Sequence, residues 1–540
     1  MVFTDNFFFF ATKFILFFIL FFLIGRGLLI AISNIKELDT FKIAGFNIYI
    51  FYPALGIFIF GNFLFLMNFF LPLNSYFVFT ILLLLIPNLK TLPTYELFKK
   101  SFRNFFWYML LLIPSYDLAY HYDAGLYHLN YQALLRENNI ILGISNIYGP
   151  YGIGSIYDYI SAALWIDETY VLLQFVNLIF IILFYEFLFS CLFTKKNKLL
   201  NNAGLALLIF TVLDNYGYGG GRNGFFYIQS LGKQDLSVAI LYFVTAVLIF
   251  VSTSKKEFSF YSIFTITVFS FFIFQLKISG ASILLLYIYY VYKIINNENL
   301  HKKWYLSLVP TTFLGIFWSL KSTLQTGCII YPLEISCLRN LSWFDREYTE
   351  VTLESAQMFS ISYSFNYSFN LWLKNFFEYQ INQIIVYNFI ISSFLIFTLF
   401  FKKNKSKVKS FQPLVLLVVF NIFFLLYFGP HMRYFIASQM LVIFLIGYMR
   451  SPRVNLNSVI IYIVVIFSIA SLVRLNSYKS FNLFTHPSHE IPVPALVAYN
   501  DRFLPKDGDQ CWSTIECSPN LQNFQIQDLG FYKRVLFLDN

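Results

Sequence analysis

Four side chains that could transfer protons lie close together in one segment. They are Asp117, His121, Asp123 and His128. A carboxylate or an imidazole within hydrogen-bond reach of a substrate hydroxyl can act as a general base. We therefore take Asp117, His121 and Asp123 as candidate catalytic residues, and we count His128 as a candidate substrate-binding or phosphate-binding residue.

A short helix is predicted directly after Asp123. Apolar residues between Gly125 and Glu137 repeat with helical spacing. Aspartate is also a preferred residue at a helix N-cap. Asp123 therefore has two interpretations, a catalytic carboxylate and a structural cap, and the sequence leaves both open.

The same segment contains donor atoms that a divalent cation could use. His121, Asp123 and His128 are residues of the metal-binding types. Their spacing matches no defined metal motif, so we predict no metal site and keep a bound divalent cation as the alternative.

A second group of candidates consists of cations beside flexible backbone. Arg222 stands in the glycine-rich run 219–224, and Lys233 follows a few residues later. Two cations on one face can bind a phosphate or a pyrophosphate through charge-assisted hydrogen bonds. We predict that both residues bind substrate phosphate.

Further cations stand at the ends of apolar runs. Lys277 follows one such run, and His431 and Arg433 precede another. Each could bind the phosphate of a substrate. The alternative is that the long cationic side chains reach the lipid headgroups while their stems stay in apolar surroundings.

The positions of the cysteines predict disulfides. Cys328 and Cys337 share one loop, Cys511 and Cys517 share the C-terminal segment, and Cys191 lies in an apolar run. No paired histidines suggest zinc, and the spacing is not that of a CxxC redox motif. Two structural disulfides in an oxidising compartment are the expectation.

The elements that position these residues are apolar. Of 540 residues, 58% are hydrophobic and only 12% are charged, against roughly 25% charged in an ordinary globular domain. This composition predicts an all-α integral membrane protein with about 12–14 transmembrane helices. We predict spans near 10–32, 45–70, 75–88, 104–115, 159–193, 199–213, 237–253, 258–275, 279–294, 304–320, 383–401, 412–428, 435–449 and 456–473.

The connecting loops predict an orientation. Alternate loops are rich in lysine and arginine, which is typical of cytoplasmic loops. The outward loops are then about 115–158, 214–236, 277–280, 321–382 and 429–434. The domain prediction is a polytopic domain over 1–475 and a small extracytoplasmic segment over 476–540. All the candidate residues fall on the outward side.

Several function classes are excluded by what the sequence lacks. The net charge of +10 is scattered over short loops and forms no basic tract, so nucleic acid is not an expected partner. No Walker motif, nucleotide-binding glycine loop or serine-hydrolase signature is present. ATP-driven transport and serine hydrolysis are therefore not predicted.

Three motifs carry a resemblance to known proteins. They are Tyr122–His128, Gly327–Pro332 with Cys337, and Gly508–Trp512 with the segment 517–519. The chain resembles an uncharacterised family of bacterial polytopic membrane proteins from surface-polysaccharide loci. That family is in turn distantly similar to the GT-C superfamily of membrane glycosyltransferases, and the resemblance spans most of the chain.

The resemblance implies a chemistry. Enzymes of the GT-C superfamily use polyprenyl-phosphate-linked sugars and place an essential acidic residue in an outer loop. By this resemblance Asp117 or Asp123 would deprotonate the acceptor hydroxyl. Arg222, Lys233, Lys277 or Arg433 would bind the lipid phosphate.

Our hypothesis from the sequence is a glycosyltransferase or polymerase that assembles cell-envelope polysaccharide or glycolipid. It would lie in the bacterial inner membrane, with its active face outside the cytoplasm. Its partners would be the lipid bilayer, a polyprenyl-phosphate-linked sugar, and a glycan or lipid acceptor. The alternatives are a transporter or flippase of a lipid-linked saccharide and a non-catalytic membrane scaffold.

Overall fold

The computed structural model describes most of the predicted membrane domain and much of the tail. The described residues are 6–32, 38–74, 80–101, 108–109, 111–112, 119–120, 122–166, 171–194, 198–216, 230–231, 234–297, 304–357, 368–378, 390, 411–429, 432–449, 491–499, 502–520 and 524–537.

The described chain is mostly helical, as the composition predicts. Its α-helices are α1 (Phe7–Ala31), α2 (Tyr52–Met67), α3 (Ile81–Leu84), α4 (Tyr95–Ser101), α5 (Leu129–Glu137), α6 (Gly149–Ile153), α7 (Ile156–Ala163), α8 (Val171–Leu192), α9 (Lys198–Tyr216), α10 (Asp235–Lys255), α11 (Phe260–Leu276), α12 (Ile283–Ile295), α13 (Val309–Thr326), α14 (Arg346–Ala356), α15 (Phe369–Glu378), α16 (Gln412–Phe428) and α17 (Met432–Met449). A π-helical turn over Ala124–His128 precedes α5.

Four of the described helices are long and apolar enough to cross a membrane by length and composition. They span Phe7–Ala31, Ile48–Met67, Leu172–Leu192 and Asp235–Lys255. Shorter apolar helices include α9, α11, α12, α16 and α17. The total of 12–14 spans stays a prediction.

In the described part of the chain, two of the predicted spans are interrupted. The span predicted over 159–193 is divided, because α7 ends at Ala163 and α8 begins at Val171. The span predicted over 75–88 is broken, since α3 ends at Leu84 and a 3-10 turn carrying Pro87 follows. Proline has no backbone N–H to continue an α-helix, which explains the second interruption.

Glycines allow the first two helices to pack closely. A Cβ atom on Gly25 of α1 would lie 1.8 Å from the carbonyl oxygen of Tyr52. A Cβ on Gly56 of α2 would lie 2.0 Å from the carbonyl oxygen of Phe21. Small residues let helix backbones approach where apolar surroundings offer no hydrophobic driving force.

Short strands complete the described fold. β1 (Lys42–Ile43) and β2 (Phe46–Asn47) form an antiparallel pair, whereas β3 (Ala119–Tyr120) runs parallel to β4 (Ser230–Leu231). The tail contains two antiparallel hairpins. They are β5 (Leu496–Tyr499) with β6 (Arg502–Pro505), and β7 (Phe524–Asp528) with β8 (Lys533–Phe537). The all-α prediction did not anticipate these hairpins.

The two ends of α2 define two polar regions. We call the end at Tyr52 the Arg26 end, because the Tyr52 hydroxyl donates to Asp39, the ion-pair partner of Arg26. We call the end at Met67 the loop end. There the Asn68 side chain, just after α2, donates to the carbonyl of Asn138 at 3.1 Å.

Candidate functional site

Segments that lie far apart in the sequence meet at the loop end. The amide of Gly143 donates to the carbonyl of Leu324 at 3.0 Å, and the amide of Val535 donates to the carbonyl of Leu142 at 2.8 Å. The parallel pair of β3 and β4 joins the first predicted outer loop to the second. The first loop, the end of α13 and the tail therefore form one assembly.

Five of the predicted site residues lie outside the residues that the structure describes. Asp117, His121, Arg222, Lys233 and His431 are all outside the described residues. Arg433 is the second residue of α17, but its side chain is likewise outside the description. Asp123, His128 and Lys277 are described.

Asp123 lies at the start of the π-helical turn and is half-buried. Its side chain makes no capping hydrogen bond, so the structure does not support the N-cap interpretation. The neighbouring Tyr122 hydroxyl donates to the carboxylate of Asp509 in the tail. This bond is the main cause that raises the pKa of Tyr122 to about 12, followed by burial and by the charges of Asp509 and Asp123. Two acidic residues thus flank one phenol at the loop end.

The helix predicted after Asp123 is present. It consists of the π-helical turn followed by α5, which ends at Glu137. Single π-turns within helices are rare and occur frequently at functional sites. The wider turn starts directly beside Asp123.

His128 is buried and paired with a residue that the sequence did not single out. Its Nδ1 lies 2.8 Å from Oδ1 of Asp158. The Gln132 side chain donates to the same oxygen at 3.0 Å, and the backbone N–H of Ser155 donates to the other carboxylate oxygen at 3.3 Å. Asp158 thus joins α5 to the start of α7, and phosphate could reach His128 only if this packing opened.

No metal centre is formed by the part of the chain that the structure describes. Within it, no group of three or more His, Cys, Asp and Glu side chains is arranged to hold a metal ion. The pairing of His128 with Asp158 engages one of the donors proposed from the sequence.

Lys321 is a second buried ionic group that sequence reasoning missed. Its side chain in α13 is only 2% exposed. Its Nζ donates to the carbonyl of Gly154 at 3.4 Å and lies 4.5 Å from the ring of Trp318. The signal in the sequence was a lone lysine one turn after a tryptophan, and an ordinary snorkelling lysine has the same pattern.

Lys277 forms an ion pair beside a cleft. Its Nζ lies 2.6 Å from Oδ1 of Asp235 and 4.5 Å from the ring centre of Tyr434. A small cleft lies next to this pair. Its lining includes Asp235, Tyr242, Ser279, Gly280, Asn421 and Tyr434. Arg433 precedes Tyr434, so the chain brings another candidate cation to the helix that lines the cleft.

The end of α11 links the two polar groups. Ser155, which caps α7 beside Asp158, donates through its hydroxyl to the carbonyl of Leu276 at 2.7 Å. Leu276 directly precedes Lys277. This hydrogen bond therefore connects the first predicted outer loop to the helix end that precedes Lys277.

Both predicted cysteine pairs are joined in the structure. Cys328 and Cys337 have an S–S distance of 1.97 Å, and Cys511 and Cys517 one of 2.07 Å. Cys191 is a free, buried cysteine in α8.

Comparison with known proteins identifies a family. The model of a family described as Domain of unknown function (DUF8201) matches residues 8–440, and the chain therefore belongs to that family. No curated protein and no solved structure matches the chain. The family match ends before the tail segment that contacts Tyr122 and Gly125.

Proposed function

We propose that this member of the DUF8201 family is a multi-pass protein of the bacterial inner membrane with its loop end outside the cytoplasm. There it would act as a GT-C-like glycosyltransferase or polymerase. Its donor would be a polyprenyl-phosphate-linked sugar, and its acceptor a glycan or a lipid of the cell envelope.

A single observation carries the proposal. Asp123, a half-buried carboxylate, and Lys277, a lysine beside a small cleft, both lie at the loop end, where Ser155 of the first loop donates to the carbonyl of Leu276. Acid–base chemistry on a hydroxyl needs the carboxylate, and departure of a phosphate benefits from the cation. Separate patches on opposite ends of the helices would not support such a reaction.

The proposed reaction assigns a role to each group. Asp123 takes the proton of the acceptor hydroxyl as its oxygen bonds to the anomeric carbon of the sugar. The bond from that carbon to the phosphate oxygen breaks, and the phosphate leaves with the electron pair on its lipid carrier. Lys277 stabilises the departing charge, with Asp235 and Tyr434 holding its ammonium in place.

The membrane part of the proposal rests on the helices and on the distribution of charge. Four described helices have the length and hydropathy of membrane spans. At the Arg26 end a Cβ atom on Gly45 would meet the ammonium of Lys255 at 2.9 Å, so one lysine-rich loop lies there. The loop end carries the disulfides, which persist in oxidising compartments. Both features support an extracytoplasmic loop end.

A lipid-linked saccharide transporter is the second candidate. Polar groups continue from the cleft into the helices: the Tyr242 hydroxyl lies 3.0 Å from that of Ser282. The Ser282 hydroxyl donates to Asn421, whose amide donates to Ser438 at 2.7 Å. Buried polar side chains of this kind occur along substrate paths of transporters.

Replacement of Asp123 tests the transferase. In the native host, Asp123→Asn should shorten or abolish the surface glycan, and Asp123→Glu should restore part of it. Asp507→Asn is the matched control, because Asp507 is an exposed acid of the tail. Normal glycan with normal protein level in Asp123→Asn contradicts the proposed role.

The position of the accumulated precursor separates the two candidates. A blocked transferase leaves the lipid-linked sugar on the outer leaflet, where an added glycosidase can reach it in intact spheroplasts. A blocked transporter leaves it on the inner leaflet, protected until the membrane is broken. The second result would favour transport over transfer.

A further inference from the structure

A loop of the tail closes over the segment that carries Asp123. We call residues 509–518 the tail clasp; the disulfide between Cys511 and Cys517 closes it. Both cysteines are buried, at 0% and 1% exposure. The clasp lies beyond the family-matched residues 8–440, so its contacts are a feature of this chain outside that match.

The contacts of the clasp lie on both sides of Asp123. Before it, Tyr122 donates through its hydroxyl to Asp509 and accepts at its carbonyl from the Gln510 side chain at 2.9 Å. After it, the amide of Trp512 donates to the carbonyl of Gly125 at 2.8 Å. The backbone on either side of the candidate base is thus held by the same loop.

Further contacts extend along α5 and the residues that follow. The Asn130 side chain donates to the carbonyl of Thr514 at 2.5 Å and accepts from the Tyr151 hydroxyl at 2.5 Å. The Ser518 hydroxyl donates to the carbonyl of Ile147 at 2.9 Å. These bonds attach the clasp to buried residues of the loop end as well as to the exposed Tyr122.

The fit between Trp512 and Gly125 is close. A Cβ atom on Gly125 would lie 2.8 Å from the indole ring, so only glycine leaves room for it. The ring also packs edge-on against Tyr120, with 5.6 Å between the ring centres. Trp512 itself adopts the left-handed conformation at φ 51°, which a non-glycine residue keeps only when its surroundings determine it.

We propose that the tail clasp is the positioning element of Asp123, with Asp509 and Trp512 as its positioning residues. A catalytic carboxylate must be held in one geometry by surrounding residues, and the clasp holds the backbone on both sides of Asp123. The part of this inference that concerns catalysis rests on the proposed function. The part that concerns order of the Asp123 segment does not.

Amide hydrogen exchange on the full-length protein in nanodiscs tests the clasp directly. In Cys511→Ser/Cys517→Ser, amides of 122–137 should exchange at least about tenfold faster than in the wild type. Cys328→Ser/Cys337→Ser is the matched control and should leave them unchanged. Unchanged exchange in α10 verifies that both variants are folded. Equal protection of 122–137 in wild type and Cys511→Ser/Cys517→Ser overturns the proposal.

A double substitution tests the same idea without touching the disulfide. Gly125→Ala should displace the indole and speed exchange of 122–137, as should Trp512→Ala. Since both act on one contact, the double variant should exchange no faster than Trp512→Ala alone. Additive acceleration would show that the contact does not hold the segment, and would contradict the proposal.

The kinetics of sugar transfer from the host's radiolabelled lipid-linked precursor test whether the tail clasp positions Asp123. Asp509→Asn should lower kcat about tenfold with KM within about twofold, because alignment of the base matters in the transition state. Asp509→Glu should restore part of kcat, and Asp507→Asn is the control. A rise in KM alone contradicts positioning. Absence of transfer by the wild type overturns the proposed function only, since the exchange results do not use activity.

Discussion

Arg26 and Lys321 are both buried, at opposite ends of the molecule, but they differ in the number of hydrogen-bond acceptors around them. At the Arg26 end the guanidinium is 3% exposed, and all of its nitrogens donate. Nε and Nη2 bind the Asp39 carboxylate at 2.9–3.2 Å, and Nη1 binds Asn88 at 3.1 Å and the carbonyl of Thr91 at 2.7 Å. A buried charge with this many acceptors is satisfied.

At the loop end the acceptors are scarcer. The Lys321 amino group has a 3.4 Å hydrogen bond to the carbonyl of Gly154, and aromatic rings occupy much of its surroundings. The nearby Asp158 carboxylate is already bound by His128, Gln132 and Ser155. The Arg26 guanidinium is therefore satisfied by acceptors on every nitrogen, whereas the buried Lys321 side chain has one long hydrogen bond.

The largest effect is expected at the Arg26 end. Arg26→Ala leaves Asp39 and Asn88 without their buried partner and should lower the free energy of unfolding by about 3–5 kcal/mol. Thermal or denaturant unfolding in detergent measures the loss. Lys13→Ala, in the same helix, is the control and should change stability by less than about 1 kcal/mol. If Arg26→Ala lowered the free energy of unfolding by less than about 1 kcal/mol, the proposed difference between the two ends would be contradicted.

Asp158→Ala should have the second largest effect. It removes the acceptor of His128 and Gln132 and also the capping box of α7, for an expected loss of about 2–3 kcal/mol. Asp158→Asn should cost less, because its carboxamide oxygen can still accept from Gln132. The same unfolding assay ranks the two variants. Equal losses in the two variants would show that Asp158 stabilises the fold through its charge and not through its hydrogen bonds.

Lys321→Met tests the difference between Arg26 and Lys321 most directly. An apolar side chain of similar length fills the same space without a poorly satisfied charge, so stability should change by less than about 1 kcal/mol or increase. Arg26→Met, measured in parallel, should still be strongly destabilising. A loss of about 3 kcal/mol in Lys321→Met would place this lysine in the same structural class as Arg26.

The smallest effect concerns the Tyr122–Asp509 bond at high pH. The pKa of Tyr122 is raised from 10.0 to about 12, so the folded chain keeps the phenol proton to higher pH than the unfolded chain. Its contribution to stability is therefore present below about pH 10 and is lost as the pH rises through about 12. The difference in thermal midpoint between wild type and Tyr122→Phe should shrink over that range. A constant difference would contradict the bond.

Local patterns were sufficient for most of the helices. α16 coincides with the span predicted over 412–428, and α1 begins and ends within a few residues of its prediction. Apolar runs form helices in any environment that lacks water, because a helix satisfies its own backbone hydrogen bonds. The division between α7 and α8 was missed, since hydropathy alone does not distinguish a buried short helix from the start of a span.

Sequence reasoning covered only part of the candidate site. Asp123 and Lys277 were proposed from residue type and position, and both lie in the described residues at the loop end. Asp158 and Lys321 were not, because each reads in the sequence as an ordinary helix residue. Their burial depends on neighbours from other segments, which no local pattern shows.

The sequence by itself determined where apolar helices form and which polar segments connect them, because both follow from interactions between near neighbours in the chain. Only the tertiary structure decided which of the connecting segments contact one another. Tyr122 and Asp509 are 387 residues apart, and a contact over that distance depends on the packing of the whole helical domain. The clasp over Asp123 is therefore a property of the fold and not of any one segment.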